Sequence, residues 1–179
     1  SGIKDILIIT TPEDLDNYMR LLKDGSQFGI NFSYVVQPHP KGLAEAFVLG
    51  EEFIGESNVA LVLGDNFFYG QGFYKMLEQG INLKKGAFFL GYNVQHPEKY
   101  AVLEKRKSKI ISIVEKPKKP KTNLAIPGIY FFDKKVISYC KNLTKSKRGE
   151  LEIVDLINIY IKKNSVKFKE IGRGISWLD

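Results

Sequence analysis

The spacing of hydrophobic and polar positions along the chain switches repeatedly between the strand and helix periods, and the switches mark out elements. Asp5-Ile6-Leu7-Ile8-Ile9-Thr10 reads as a strand near the start. Thr11-Pro12-Glu13-Asp14 then offers a capping residue, a proline suited to a first helical turn and early acids. Leu15, Tyr18, Met19 and Leu22 fall at i, i+3, i+4 and i+7, one apolar helix face, and Gly25 is placed to end it. Phe32, Tyr34 and Val36 alternate with polar or smaller neighbours, which predicts a second strand. It runs into Gln37-Pro38-His39-Pro40-Lys41-Gly42, where two prolines impose an extended loop. A helix is expected next, with Leu43, Ala46, Phe47 and Phe53 on its inner side.

The stretch around which the rest is organised is Val59 to Gly70, VALVLGDNFFYG. Val59 to Leu63 is unbroken and apolar, which predicts a strand buried on both faces of a parallel sheet; so short a run also suits buried helix. It stops at Gly64-Asp65-Asn66. Ligands of open α/β sheets collect outside the carboxyl ends of strands, where Asp65 would stand. Its hard oxygens suit magnesium, and Gly64 lets a ligand approach closely. The competing reading is a plain turn after a core strand, which Asp and Asn favour equally.

A short helix with Phe73, Met76 and Leu77 inward follows, then a strand over Ala87 to Val94. Tyr100 to Glu104 and Ile110 to Glu115 predict a hairpin joined by a basic loop around Lys107, closing on Glu115-Lys116-Pro117. Pro127 to Phe132 is a further strand, and Asp133 is placed to cap a helix carrying Val136, Ile137 and Cys140. Arg148-Gly149-Glu150-Leu151-Glu152 is expected to open a longer helix with Leu151, Val154, Ile157 and Ile161 as its core stripe. Val166 and Phe168 alternate with lysines in an edge-like strand, and a last strand closes on Asp179. Strands alternating with helices, plus one hairpin, give one α/β domain over residues 1–179 with a mixed, mostly parallel sheet. Two core-like elements flush with both ends predict a piece of a longer polypeptide, incomplete at each end.

Composition sharpens this picture. Hydrophobic residues make up 44% of 179, which suits a globular core and argues against disorder. With a single cysteine no internal disulfide is available; no leader opens the chain and no apolar stretch is of membrane-spanning length, so a cytoplasmic, membrane-free protein is expected. The net charge of +7 favours anionic partners, and Lys105 to Lys121 carries much of it. That segment lacks the interleaved aromatics of a nucleic-acid surface, so it reads as a solvated lysine face and no nucleic-acid partner is expected. His39 and His96 lie beside prolines without metal-ligand spacing, and no Ser-His-Asp or Cys-His nucleophile pattern is suggested.

Gln37, Asp65, Glu115, Lys116 and Asp179 all fall just past predicted strand ends. Two aspartates from distant strands suit one shared magnesium ion, which would clamp phosphate oxygens. Lys116 and Arg148 could hold further phosphate charge, and Gln37 could read a base edge with its donor and acceptor. Against these stand a solvated Lys116 and an Arg148 occupied by the glutamates beside it.

Taken in order, Asp24-Gly25-Ser26-Gln27-Phe28-Gly29, Gln37 with Pro40-Lys41-Gly42-Leu43-Ala44, Leu63-Gly64-Asp65-Asn66 and Glu115-Lys116-Pro117 resemble the sugar-phosphate nucleotidylyltransferases. The resemblance continues through Pro127-Gly128-Ile129-Tyr130-Phe131-Phe132-Asp133, Arg148-Gly149-Glu150-Leu151-Glu152-Ile153 and Trp177-Leu178-Asp179, and is nearest to the thymidylyl branch. It implies a Rossmann-like fold, transfer of a thymidylyl group from dTTP to glucose 1-phosphate, magnesium as cofactor, and a homo-oligomer, a tetramer by family habit. It further implies that Gln37, Gly42, Leu63, Gly64 and Asp65 contact the nucleotide and that Asp65 and Asp179 hold the metal. Ala101, Glu115, Lys116, Ile126, Tyr130 and Arg148 would line the sugar-phosphate site, with Asp65, Lys116, Arg148 and Asp179 the catalytic set. Three departures stand out. The family's glycine-rich G-G-x-G-T-R loop and its following lysine are absent, so the piece alone is expected to be inactive. Material past Asp179 is missing, and Ala101 stands where glycine is usual. Consecutive strand residues face opposite ways, so Glu115 and Lys116 can share a ligand only if the strand breaks between them. A transferase for another nucleotide, such as a uridylyl one, or a non-catalytic sugar-nucleotide-binding protein on the same fold are the alternatives.

Overall fold

The computed structural model describes residues 2–107 and 109–179. Ser1, at the expected N-terminal boundary, and Ser108, in the expected basic hairpin tip, lie outside the described residues. The expected first strand forms as β1 (Asp5–Thr10), followed by α1 (Leu15–Leu22), and β1 pairs in parallel with β2 (Asn31–Val36). The next helical stretch breaks at Gly50 into α2 (Glu45–Leu49) and α3 (Glu51–Ile54). That break changes the inner face: Ala44, Phe47 and Ile54 are buried, whereas Leu43 and Phe53, expected inside, are exposed.

The central run forms β3 (Val59–Val62), and the chain then pairs again as β4 (Phe67–Gly70), a strand the pattern did not announce. After α4 (Phe73–Ile81) come β5 (Ala87–Asn93), the hairpin β6 (Ala101–Arg106) and β7 (Lys109–Glu115), and the two-residue β8 (Leu124–Ala125). β9 (Ile129–Phe132), α5 (Val136–Lys141), α6 (Ile153–Lys162), β10 (Val166–Glu170) and β11 (Ile175–Leu178) complete the described elements.

The sheet is mixed, yet among the described strands only β1·β2 and β5·β10 pair in parallel, while the other pairings are antiparallel. The reason is that β9 inserts antiparallel between β3 and β5, and the hairpin extends the sheet in the same manner. The strand buried on both faces is β5 rather than β3. β5 has β9 on one edge and β10 on the other, so Ala87 to Leu90 are all buried. Among the described strands β3 pairs with β9 alone, and its Val62 is 55% exposed.

The pleat of β5 and β9 divides the interior in two. Ala87, Phe89, Tyr130 and Phe132 join the core shared with α2, α5 and α6, while Phe88, Leu90, Ile129 and Phe131 join the one shared with α4 and β11. On the larger side Asp133 is buried, and its carboxylate accepts hydrogen bonds from Gly86 N–H (2.6 Å), Lys135 N–H (3.1 Å) and the Tyr160 hydroxyl (2.9 Å). It therefore ties the turn before α5 to α6 and the start of β5; it does not cap the helix as expected, because α5 begins at Val136 after Lys135 and takes no side-chain cap bond. α6 begins at Ile153, later than expected; Arg148 to Glu152 approach it as a turn and an extended segment. Asn158 docks α6 on the hairpin, its amide bridging both backbone groups of Ile113 at 2.9 Å. No helix among the described residues is long and apolar enough to cross a membrane.

Candidate active site

β3 runs out at Val62 because the chain turns: Leu63 N–H donates to Gly128 O, and Asn66 N–H donates back to Leu63 O. The turn reading of Asp65-Asn66 is therefore right as local structure. It also does more. The Asn66 amide donates to Asp65 Oδ1 (2.8 Å) and Asp179 Oδ1 (2.7 Å), while its Oδ1 accepts from Gly128 N–H (2.7 Å) and Trp177 Nε1–H (2.8 Å). Asp179 arrives there because β11 lies antiparallel to β4 with Leu178 opposite Phe67, which carries the next residue to the Asn66 turn. Gly128 must be glycine for this contact, since a Cβ would stand 2.6 Å from Leu63 Cδ1 and 2.8 Å from Asn66 Cγ. Gly64 has open space around it, as a close approach requires.

Two residues on from Gly128, Tyr130 is buried. Burial holds the phenol well above its ordinary range, and the charges of Glu115, Asp179 and Asp65 push the same way. One ring therefore lies in the common field of three carboxylates brought from β7, β11 and the β3 turn.

Glu115 ends β7, and the strand does break after it: Lys116 takes a left-handed φ of 40° and donates its N–H to Tyr100 O. The residue pair that an ideal strand would send to opposite faces thus lines one open cavity of ≈ 570 Å³, together with Arg148, Ser146 and Glu152. Burial raises the Glu115 carboxyl above the usual glutamate value. Lys116 and Arg148 pull it down, and Glu152 and Glu150 add to the rise. Lys116 makes no ion pair among the described residues. Arg148 is committed: its guanidinium spans Glu152, with Nη2 at 2.9 and 3.0 Å from the two carboxylate oxygens, and reaches Glu150 at 3.7 Å. These are the neighbouring glutamates weighed against the phosphate reading from sequence. Ala101 sits directly across the sheet from Glu115, and its φ is not left-handed, so its methyl costs no backbone strain and lies beside the Glu115 side chain. Ile126 is buried and donates its N–H to Ala101 O at 2.9 Å.

Gln37 leaves β2 with its N–H on Thr10 O, and its side-chain amide donates to Glu45 Oε2 at 2.6 Å, leaving its carbonyl oxygen as the uncommitted group. Gly42 has φ +94°, and the loop it belongs to is strapped to Leu151 by Leu151 N–H to Lys41 O (2.7 Å) and Ala44 N–H to Leu151 O (3.1 Å). The structure thus gathers Asp65 with Asp179, Glu115 with Lys116 and Arg148, and joins the Gln37–Gly42 loop to the Arg148–Glu152 segment through Leu151.

Asn66, Trp177 and Leu151 organise this region without having been singled out as site residues. Asn66 had a signal, its place beside Asp65 after an apolar run. Leu151 acts through its backbone, which its side-chain type does not announce. Among the described residues no group of three or more His, Cys, Asp or Glu gathers to form a cation cage. A pair of carboxylates, leaving other positions to water and phosphate oxygens, is the donor set magnesium accepts.

The mixed sheet, with Asp65 and Glu115 at or just past its strand ends, is that of an α/β protein, and the chain belongs to the nucleotidyl transferase family, whose model matches residues 1–179. More particularly, it is 50% identical over its whole length to the glucose-1-phosphate thymidylyltransferase of Neisseria meningitidis and 46% identical to that of Mycolicibacterium smegmatis. It spans 62% of the length of each. A Bacillus anthracis structure assigned as a glucose-1-phosphate thymidylyltransferase, solved with a sucrose, superposes with a TM-score of 0.89 at 40% identity, covering 98% of this chain and 70% of that one. A UDP-glucose pyrophosphorylase solved with UDP-glucose matches at a TM-score of 0.75 and 22% identity over 96% of this chain and 74% of its own, a likeness of fold alone. The fold is the Rossmann-like nucleotidyltransferase one expected from the sequence.

Proposed function

We propose that this chain is the core of a glucose-1-phosphate thymidylyltransferase. The observation that carries the reading is the meeting of Asp65 and Asp179 on the one Asn66 amide, with Glu115 joining them in the field on the buried Tyr130 ring. A phosphate oxygen of glucose 1-phosphate forms a bond to the α-phosphorus of dTTP as the bond from that phosphorus to the bridging oxygen breaks, releasing pyrophosphate and dTDP-glucose. Magnesium, when bound, supplies charge that offsets the negative charge gathering on the phosphates. Asp65 and Asp179 hold that cation through their exposed oxygens. Glu115 accepts hydrogen bonds from sugar hydroxyls, the Tyr130 ring and Ile126 wall the sugar, and the Ala101 methyl narrows the space beside Glu115. Lys116 binds the sugar phosphate. Arg148 joins it only by exchanging Glu152 for that phosphate, the two anions being alternative partners for one planar fork. Gln37 offers its carbonyl to a base N–H, while Gly42, Leu63 and Gly64 let the nucleotide approach the backbone. The protein's contribution is alignment and charge, with no covalent intermediate. A cytoplasmic homo-oligomer, tetrameric by family habit, completes the proposal.

The test is pyrophosphate release by the full-length protein with magnesium, glucose 1-phosphate and each nucleoside triphosphate in turn. Turnover fastest with dTTP is expected. Faster turnover with UTP would transfer the proposal to uridylyl chemistry, and binding without turnover would make the protein a sugar-nucleotide carrier.

A further inference from the structure

Two carboxylates repel one another, and neither Asp65 nor Asp179 is buried, so their separation must be fixed by something else. The Asn66 amide is the group that fixes it. Its two N–H bonds go to one oxygen of each carboxylate, and its oxygen is held by the Gly128 backbone and the Trp177 indole. Both donors and both acceptor sites of the amide are therefore used. The anchors are themselves rigid. Trp177 is buried and packs its ring against Tyr92 (5.7 Å) and Tyr100 (5.2 Å), and Gly128 N–H belongs to the turn entering β9. Asn66 can neither rotate nor flip without leaving buried N–H groups unpaired. Each carboxylate keeps its second oxygen free of hydrogen bonds among the described residues.

We infer that Asn66 is a positioning residue for a divalent cation: it does not touch the ion but sets the spacing at which Asp65 and Asp179 present their free oxygens. The inference rests on the two-carboxylate reading above and adds to it the residue that enforces the geometry. Groups hydrogen-bonded to metal ligands tune affinity in this manner, and losing one typically weakens binding about tenfold to a hundredfold.

The probe is Mn²⁺ binding to the full-length protein without nucleotide, followed by the loss of the free-ion electron paramagnetic resonance signal. Asn66→Ser retains an oxygen that can accept from Gly128 N–H, yet its single hydroxyl proton can serve at most one carboxylate. It should bind Mn²⁺ at least about tenfold more weakly, and the magnesium needed for half-maximal turnover should rise while the rate at saturating magnesium falls far less. Trp177→Phe removes one of the two donors that hold the Asn66 oxygen but leaves Gly128 N–H and both amide donors in place, so its Mn²⁺ affinity should lie between those of the unsubstituted protein and Asn66→Ser. Asn66→Ser that binds Mn²⁺ normally overturns the inference. So does a Trp177→Phe affinity weaker than that of Asn66→Ser, since the loss would then follow the packing of the ring and not the amide. If the unsubstituted protein binds no Mn²⁺, or Asp65→Asn does not weaken binding, the carboxylate-pair reading itself falls and takes this one with it.

Discussion

Gly42 lies against the backbone of Leu151 so closely that a Cβ at position 42 would stand 2.3 Å from the Leu151 carbonyl oxygen. That contact joins a loop after β2 to the segment that carries Arg148 into α6, far along the chain. Gly42→Ala must therefore break a left-handed backbone, two strapping hydrogen bonds, or both. The backbone strain alone is worth about 1–3 kcal/mol. The expected outcome is a lower melting temperature together with weaker thymidine nucleotide binding, read by calorimetry. An unchanged melt would mean the loop can detach from Leu151 freely.

Gln37→Glu should fail in a pH-dependent manner. The Gln37 amide donates to Glu45 Oε2 at 2.6 Å, and the substitution replaces that donor with a second carboxylate. Two like charges at that distance repel, so the variant should melt below the parent at neutral pH. Protonating one acid restores a donor, so the gap should close as pH falls into the carboxylate range. A gap of constant size from neutral to acid pH would show that Glu45 has simply turned away. Weaker dTTP binding should accompany the substitution at neutral pH.

Glu115→Gln should stabilise the protein while impairing it. Burial raises the Glu115 carboxyl above the usual value of 4.5 even against the pull of Lys116 and Arg148. The folded state thus binds that proton more tightly than the unfolded chain, and stability is lost as pH rises from 4.5 through the raised value. Glutamine removes this loss. The variant should melt higher than the parent at neutral pH, with the difference vanishing below the ordinary glutamate range, while its glucose 1-phosphate KM rises. A melt lower than the parent's at neutral pH would contradict the assignment of burial as the dominant cause.

Asp65→Asn keeps the turn, since an asparagine carbonyl can still accept from the Asn66 amide, and it removes one formal charge from the carboxylate pair. Turnover in the full-length protein should fall by a factor on the order of 100 or more, several kcal/mol of transition-state charge stabilisation, with an unchanged melt. Normal activity in a normally folded variant would leave Asp65 as a turn residue and nothing else.

Short-range patterns in the sequence suffice for the elements whose causes are local. The apolar run of β1, the hairpin closing at Glu115, the alternation of β10 and the stripe of α6 were legible because each depends on side chains within a few residues of one another. The Asp65 turn was legible for the same reason, as was the need for a strand break between Glu115 and Lys116, which the left-handed φ of Lys116 supplies. Tertiary pairing decided the rest. A residue pattern states that a strand is apolar but not how many neighbours it has, so the role expected of β3 fell to β5, flanked by β9 and β10. β4, which the pattern did not announce, is set by its pairing with the expected last strand β11, and that register brings Asp179 to Asn66. Arg148 illustrates the same limit: its type suits a phosphate, but the packing of Glu152 beside it decides which anion it holds in the absence of ligand. Hydrogen-bond partners far apart in sequence are a property of the folded chain, because the free energy that selects them comes from desolvating groups that only folding brings together.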